Sequence, residues 1–395
     1  MTSSETAGHG HRPGGLAPPN TTLYALVSLA AGMLCAYLGS LLQMNADWLA
    51  GLGFSGFFVS DAMSLESSVR LAWQIDWNNW PNLNTFIGVV FLYFPILIFG
   101  ELGAAIVNII LLFYASLFFA YSVRDIYGKI SSFVIFSVST IAVYSNIYIL
   151  EVINFPNKEI PLILITNMFV YFAICRRDIL VPLALIVISY YFRDGFSIIL
   201  SIIFAVVLIR LHVGKYAALI AAAVLALLLS TLSIQSLSWI SSAFDRNATI
   251  GEGLIGERFA ALGQIASYIA RLVGNAANLG LRPQLEDEIG GIHLLAVGYW
   301  QFGIVILAGL LWAMKTIATP HAREGALALL LVVALLGISY GSFVQPRYMM
   351  PLIYWLSLGL AQDHRIRLIA LAACTLAPIF FWALDGLPPL ATSTI

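Results

Sequence analysis

Charge is what this sequence has least of. Only 10% of its 395 residues are Asp, Glu, Lys or Arg, where a soluble domain carries about a quarter, and that excludes a water-facing surface for a chain this long. With 19 basic against 20 acidic residues and a net charge of −1, there is no basic face for nucleic acid. Cysteine is nearly absent. Cys35, Cys175 and Cys374 lack CxxC spacing and lie in or beside apolar stretches, which argues against a disulfide framework or a thiolate metal site and leaves them as small packing residues. Gly251, Gly253 and Gly256 match GxGxxG in form, but without the strand–turn–helix setting that dinucleotide binding requires. No internal repeat is evident, so the inverted-repeat signature of many secondary transporters is missing.

What the sequence has is apolar length. Hydrophobic residues make up 60% of the chain and the mean hydropathy is +0.91. A bilayer crossing takes about 20 apolar residues in a helix, and helices are the only open-ended structure that satisfies its own backbone in hydrocarbon. The expected fold is therefore an all-α polytopic membrane protein with about 11 transmembrane helices, at 22–44, 102–121, 132–150, 160–174, 179–192, 196–211, 216–234, 294–314, 324–345, 348–362 and 368–385. Residues 1–21, with His9, His11, Arg12 and a Pro/Gly cluster, read as a disordered cytoplasmic tail and not as a cleavable signal. The expected organisation is that tail, a transmembrane core over 22–234, a large external loop at 235–293 and C-terminal transmembrane helices in 294–395.

Basic residues orient this arrangement. With the N-terminus inside, the cytoplasmic segments hold Arg12, Arg124, Lys129, Arg176, Arg177, Arg210, Lys215, Lys315, Arg323, Arg365 and Arg367, mostly in the short loops where the positive-inside bias acts. Five acids, Glu5, Asp125, Asp178, Glu324 and Asp363, fall inside; the other 15 of the 20 fall outside. Counting the apolar stretch 85–100 as a span would invert this order, so it is read as an interfacial helix within a first external loop at 45–101, held by Trp73, Trp77 and Trp80. Two long loops then share one face, and long loops on one face build sites.

In the first loop, Asp61 follows the first span, with Glu66 and Arg70 at spacings that share a helix face. The plainer reading is a solvated amphipathic helix on the membrane surface. The run continues QIDWNNWPNLN, then an apolar helix ending LIFGEL and a span ending YSVRDIYG; later come FPNKEIPL, YYFRDGFSII and QPRYMMPLIYW. This progression resembles the membrane glycosyltransferases of the GT-C superfamily, over roughly residues 50–215 and 340–360. The resemblance implies a GT-C-like fold, Asp61 as the catalytic acid of the first external loop and Glu159 as a second acid. The PNKE segment followed by Arg193, and a late external loop carrying Arg246, Arg258, Arg271, Arg282 and His293, are similar to oligosaccharide repeat-unit polymerases and ligases of O-antigen and exopolysaccharide synthesis. In that pattern Glu66, Arg258, Arg271, Arg282 and His293 form an acceptor or polymerase-type site.

Both resemblances imply one task at the outer face: a sugar leaves a polyprenyl phosphate or diphosphate and joins a hydroxyl. The departing anion calls for preorganised cations, and the planar fork of Arg binds two oxygens at once. Lys158, Arg193 and Arg347 stand at external span ends, where a lipid phosphate would sit. A carboxylate such as Asp61 would take the acceptor proton. Lys158 beside Glu159 and Arg193 beside Asp194 read equally well as interfacial charges that snorkel, His293 as an interfacial packing residue, and Glu286-Asp287-Glu288 as a solvated run. No metal site or cofactor is expected beyond the polyprenyl-linked sugar donor, and nothing in the sequence supports a divalent metal. The expected partners are lipid-linked saccharide, membrane lipids and other polysaccharide-assembly proteins, at a bacterial inner membrane. The rival function is a transporter or flippase of lipid-linked saccharide.

Overall fold

The computed structural model describes residues 21–52, 54–55, 60–73, 87–231, 292–338 and 346–385. These fold as a bundle of apolar helices, and among the described residues the one strand pairing is two residues long. The chain opens with α1 (Thr21–Met44), α2 (Ala46–Gly51), β1 (Phe54–Ser55) and α3 (Ser60–Ala72), followed by the short α4 (Ile87–Leu92) and α5 (Ile96–Phe99). Next come α6 (Glu101–Tyr127), α7 (Lys129–Tyr144), α8 (Ile147–Val152), α9 (Glu159–Val170) with a π-helical turn at Tyr171–Arg176, α10 (Leu180–Tyr190), α11 (Asp194–His212) and α12 (Lys215–Thr231). The later part holds β2 (Ile292–His293), α13 (Leu294–Thr316), α14 (Ala322–Ile338), a 3₁₀ segment at Pro346–Leu352, α15 (Ile353–Leu356), α16 (Leu358–Gln362) and α17 (His364–Asp385).

Four of the described helical stretches are long and apolar enough to cross a membrane: Thr21–Met44, Glu101–Tyr127, Glu159–Arg176 and Gly195–His212. Shorter apolar helices accompany them. The outward faces carry Leu26, Leu34 and Tyr37 on α1, Leu180 on α10 and Tyr216 and Ile220 on α12, all exposed. A surface of large side chains this continuous suits lipid and not water, and the whole is an all-α bundle of multi-pass membrane type.

Local signals set the best-formed helix. Gly100 at φ 60° turns the chain into α6 and Gly128 at φ 79° closes it, with the Gly128 N–H donating to the Arg124 carbonyl at 3.0 Å. Glu101 in the first turn and Arg124 in the last complement the helix dipole. The centre of α6 packs against α9, where Asn167 Nδ2 donates to the Ala115 carbonyl at 3.0 Å, and its fully buried Phe119 lies against Tyr354 and Trp355 of α15.

The bundle has two distinct ends. At one, Arg323 on α14 donates from Nη1 to the Asp125 carbonyl (3.0 Å) and from Nη2 to the Cys175 carbonyl (3.2 Å). Arg210 Nη2 donates to the Thr319 carbonyl at 2.7 Å, and Lys315 pairs with Asp363 at 2.6 Å. At the other, the Gly88 N–H donates to the Tyr191 carbonyl at 3.1 Å, Arg193 lies over Tyr348, and β1 pairs in parallel with β2, Phe54 opposite Ile292 and Ser55 opposite His293. The segments grouped by charge as cytoplasmic thus share the first end, and the loop segments share the second.

Three expected apolar stretches are broken. The stretch 132–150 is not continuous: α7 stops at Tyr144, and Asn146 caps a new short helix by accepting the Tyr148 N–H at 3.0 Å while donating to the Gly298 carbonyl at 3.0 Å. The stretch 85–100 is two helices separated by a turn through Pro95. Its anchoring by Trp73 is as expected, since the indole N–H reaches the Val90 carbonyl at 3.4 Å and the ring meets Phe91 edge-on at 6.1 Å; Trp77 and Trp80 lie outside the described residues. The stretch 348–362 is divided by Pro351 and Ser357 into the 3₁₀ segment, α15 and α16. The cysteines Cys35, Cys175 and Cys374 are buried and unpaired, as packing residues.

Candidate functional site

The turn between α8 and α9, Ile153 to Lys158, is buried and irregular, so its backbone groups need partners that secondary structure does not supply. Asparagines provide them. Asn108, fully buried on α6, donates to the carbonyls of Ile153 and Phe155, each at 2.8 Å, and accepts the Tyr93 hydroxyl at 2.6 Å. Asn157 donates to the carbonyls of Val152 (3.1 Å) and Phe155 (3.0 Å), and its Oδ1 accepts the Ile160 N–H at 2.8 Å, inside the first turn of α9. Asn154 fastens the turn to α1 through the Ala36 carbonyl and the Ser40 hydroxyl, at 3.3 and 3.2 Å. Lys158 is thereby set at the N-cap of α9, half-buried, and Glu159 at its first position.

Glu159 is buried, and its Oε2 accepts the backbone N–H of Lys158 at 3.2 Å. An acid bound to an otherwise orphaned amide at a helix N-terminus is well placed for helix stability, so this carboxylate has a structural occupation. Arg193 takes an extended conformation at the N-cap of α11, and its guanidinium carbon stands 4.3 Å from the centroid of the Tyr348 ring. Its Nη1 is buried and makes no hydrogen bond with any described residue. A guanidinium laid on an aromatic face keeps its donor edge for another acceptor. Tyr348 lies in the 3₁₀ segment Pro346–Leu352, so Arg347 falls next to this contact in the chain, its side chain outside the described residues.

The first loop delivers part of what its sequence promised. Glu66 and Arg70 form an (i, i+4) ion pair on α3, with Arg70 Nη2 at 2.7 Å and Nε at 3.0 Å from Glu66 Oε1. Such a pair is worth only about 0.3–0.5 kcal/mol, and it occupies Glu66. Asp61 is the second residue of α3, six positions after Ser55; its side chain, like that of His293, lies outside the described residues. The Ser55–His293 pairing still joins the root of the Asp61 helix to the residue that closes the late loop. Arg246, Arg258, Arg271 and Arg282 lie outside the described residues. Among the described residues no three His, Cys, Asp or Glu side chains gather as a metal site.

Two residues of interest were passed over in the sequence. Tyr348, the platform under Arg193, was visible only as part of QPRYMMP. Glu151 reads in the sequence as one more external acid, yet it is 3% exposed on α8, with neither carboxylate oxygen bonded to any described residue. Burial alone pushes its carboxyl up to about 9 from an ordinary 4.5. The signal available was an acid at the edge of an apolar run, followed by a turn rich in asparagine. Compared with family models, curated proteins and solved structures, the chain matches none.

Proposed function

We propose that this protein is a membrane glycosyltransferase with about eleven membrane spans and a GT-C-like architecture. It moves a sugar or oligosaccharide from a polyprenyl-phosphate or diphosphate donor to an acceptor hydroxyl at the periplasmic face of a bacterial inner membrane, in surface polysaccharide synthesis. The observation that carries this reading is Arg193: a cation at the loop end of the bundle, held on the Tyr348 ring, with a buried donor left for an external anion. Arg347, next to Tyr348 in the chain, and Lys158 at the head of α9 are the further cations assigned to the donor phosphate. Asp61 is the base in this reading. Glu159 is its reserve, although its bond to the Lys158 amide gives it structural work as well.

The test is sugar transfer by purified protein in lipid from a polyprenyl-phosphate-linked sugar. Asp61→Asn keeps the shape but takes no proton, so turnover falls by about 10² or more, the low end of general-base catalysis, while donor binding is unchanged and Glu66→Gln retains most activity. Asp61→Asn at wild-type rate, with a His293 or loop-Arg variant dead, would replace this mechanism by the polymerase or ligase one. A second reading, a transporter or flippase of lipid-linked saccharide, has Glu151 on its side, because an ionisable group buried among apolar helices is a feature of ion-coupled carriers.

A further inference from the structure

Glu151 plays no part in the proposed transfer, and its surroundings are unusual for an acid. It sits on α8, which is wedged between α1 and α13 with the end of α7 alongside. The wedge is tight. A Cβ on Gly39 of α1 would collide with the Leu150 carbonyl, and a Cβ on Gly298 of α13 would stand 2.8 Å from the Tyr148 amide. Backbone meets backbone on both sides of the residue, and neither carboxyl oxygen finds a hydrogen-bond donor among the described residues.

Among the described residues no charge compensates it. The ionisable groups on the elements packed against α8 are Tyr24, Cys35 and Tyr37 on α1, Lys129 and Tyr144 on α7, and Tyr299 and Lys315 on α13. Lys129 begins α7 and Lys315 closes α13, each about 20 Å or more from the α8 contact at the 1.5 Å rise of a helix, and Lys315 is engaged with Asp363. Beyond these elements, Lys158 and Glu159 follow in the next turn, and Glu159 is bound to the Lys158 amide. Among the described residues, burial is the influence that raises the Glu151 carboxyl. A carboxylate in such a place would lack both water and a counter-ion, at a cost of several kcal/mol, whereas the acid form is tolerated.

The elements it joins give this consequence. α1 runs through α2 into β1 and the helix bearing Asp61, and β2 runs directly into α13, so α8 lies between the roots of the two external loops that the β1–β2 pairing ties together. We infer that Glu151 is a proton-binding site between these loop roots, and that the bound proton holds α1, α8 and α13 in contact. The proton comes from and returns to water: the neutral acid loses H⁺ to hydroxide or buffer, and the carboxylate left behind is expelled toward solvent as the wedge opens.

The test uses the full chain in lipid vesicles and an apolar carbodiimide, N,N′-dicyclohexylcarbodiimide. The reagent takes the acid proton on one nitrogen while the carboxylate oxygen adds to its central carbon, so it marks protonated carboxyls in apolar surroundings. Mass spectrometry is expected to find the adduct on Glu151 at pH 7, with labelling falling as pH rises through about 9. Absence of the adduct at pH 7, or its loss through the ordinary carboxylate range, overturns the site. The latch has its own readout: amide exchange of residues 147–154 in wild type relative to Glu151→Gln at the same pH, where intrinsic rates cancel. That ratio is expected near one at pH 6 and severalfold higher above pH 9, and a ratio of one throughout overturns the latch. Should Glu151→Gln fail to fold, the wild-type labelling profile decides the site, and the wild-type exchange profile, corrected for intrinsic rate, decides the latch.

Discussion

Asn108→Leu removes the amide that organises the turn before α9 and puts a larger side chain of the same branching in its place, so its cost does not come from a cavity. Asn108 serves the carbonyls of Ile153 and Phe155 and the hydroxyl of Tyr93. The Phe155 carbonyl keeps Asn157 as a partner, and the Tyr93 oxygen keeps the Asn157 backbone N–H, so two buried groups lose a partner, the Ile153 carbonyl and the Tyr93 O–H donor. A buried group left unsatisfied costs about 1–3 kcal/mol, which gives about 2–6 kcal/mol for the pair. Asn154→Ala is the control: its bonds of 3.2 and 3.3 Å to α1 are longer and partly exposed, and its loss costs about 1 kcal/mol. Unfolding of purified protein in mixed micelles, followed by tryptophan fluorescence, measures both. Thiol labelling of a Pro156→Cys reporter measures the turn directly, and it becomes faster in the Asn108 variant. If Asn108→Leu is no less stable than Asn154→Ala and the reporter is labelled no faster, the asparagine scaffold does not hold the turn.

At the other end of the bundle, Arg323→Ala strips the carbonyls of Asp125 and Cys175 of a shared guanidinium. A loss of about 1.5–3 kcal/mol is expected, the range for hydrogen bonds to charged groups; Arg323→Lys restores only part, because one ammonium cannot span both helix ends, and equal stability of Arg323→Ala and wild type in the same unfolding assay would refute the clasp. Orientation is checked in intact cells with a membrane-impermeant maleimide: Ser242→Cys is labelled and Arg177→Cys is not, and the reverse pattern would move the candidate site to the cytoplasmic side.

The coarse order of the chain was legible because it rests on strong signals. Apolar length marks the helices, and Lys/Arg asymmetry sorts their ends, which places Arg323, Asp125 and Arg176 in one group. Where helices break was less legible, because the breaks depend on distant partners. Asn146 ends one stretch by reaching the Gly298 carbonyl, 152 positions away, and no local pattern encodes that. The pair Glu66–Arg70 was readable from its spacing; the stacking of Arg193 on Tyr348 was not, since 155 residues separate them by their own numbering. Glu151 was misjudged for a related reason. Its burial comes from α1 and α13 closing on α8, and a charged residue at the end of an apolar run looks solvated until those neighbours are in place.

The two ends also differ in how their cations are used, and this bears on where chemistry belongs. Arg323 holds two backbone carbonyls, Arg176 the Tyr171 hydroxyl at 2.7 Å, and Lys315 the Asp363 carboxylate, whose proton affinity it lowers. Arg210, although its Nε is unmatched, is fixed by the Thr319 carbonyl and lies against Gly325, where a Cβ would stand 2.6 Å from its Nη2. These charges hold helix ends together, and an anion arriving there would have to displace an existing bond. Arg193 is restrained differently: an aromatic face fixes its plane without consuming a donor, and its Nη1 is shielded from water and unbonded among the described residues. A restrained guanidinium with a buried donor unbonded among the described residues loses less on binding an anion, since part of the ordering and desolvation is already present in the free protein. Substitution at the first end should therefore register in stability, and substitution of Arg193 in ligand affinity.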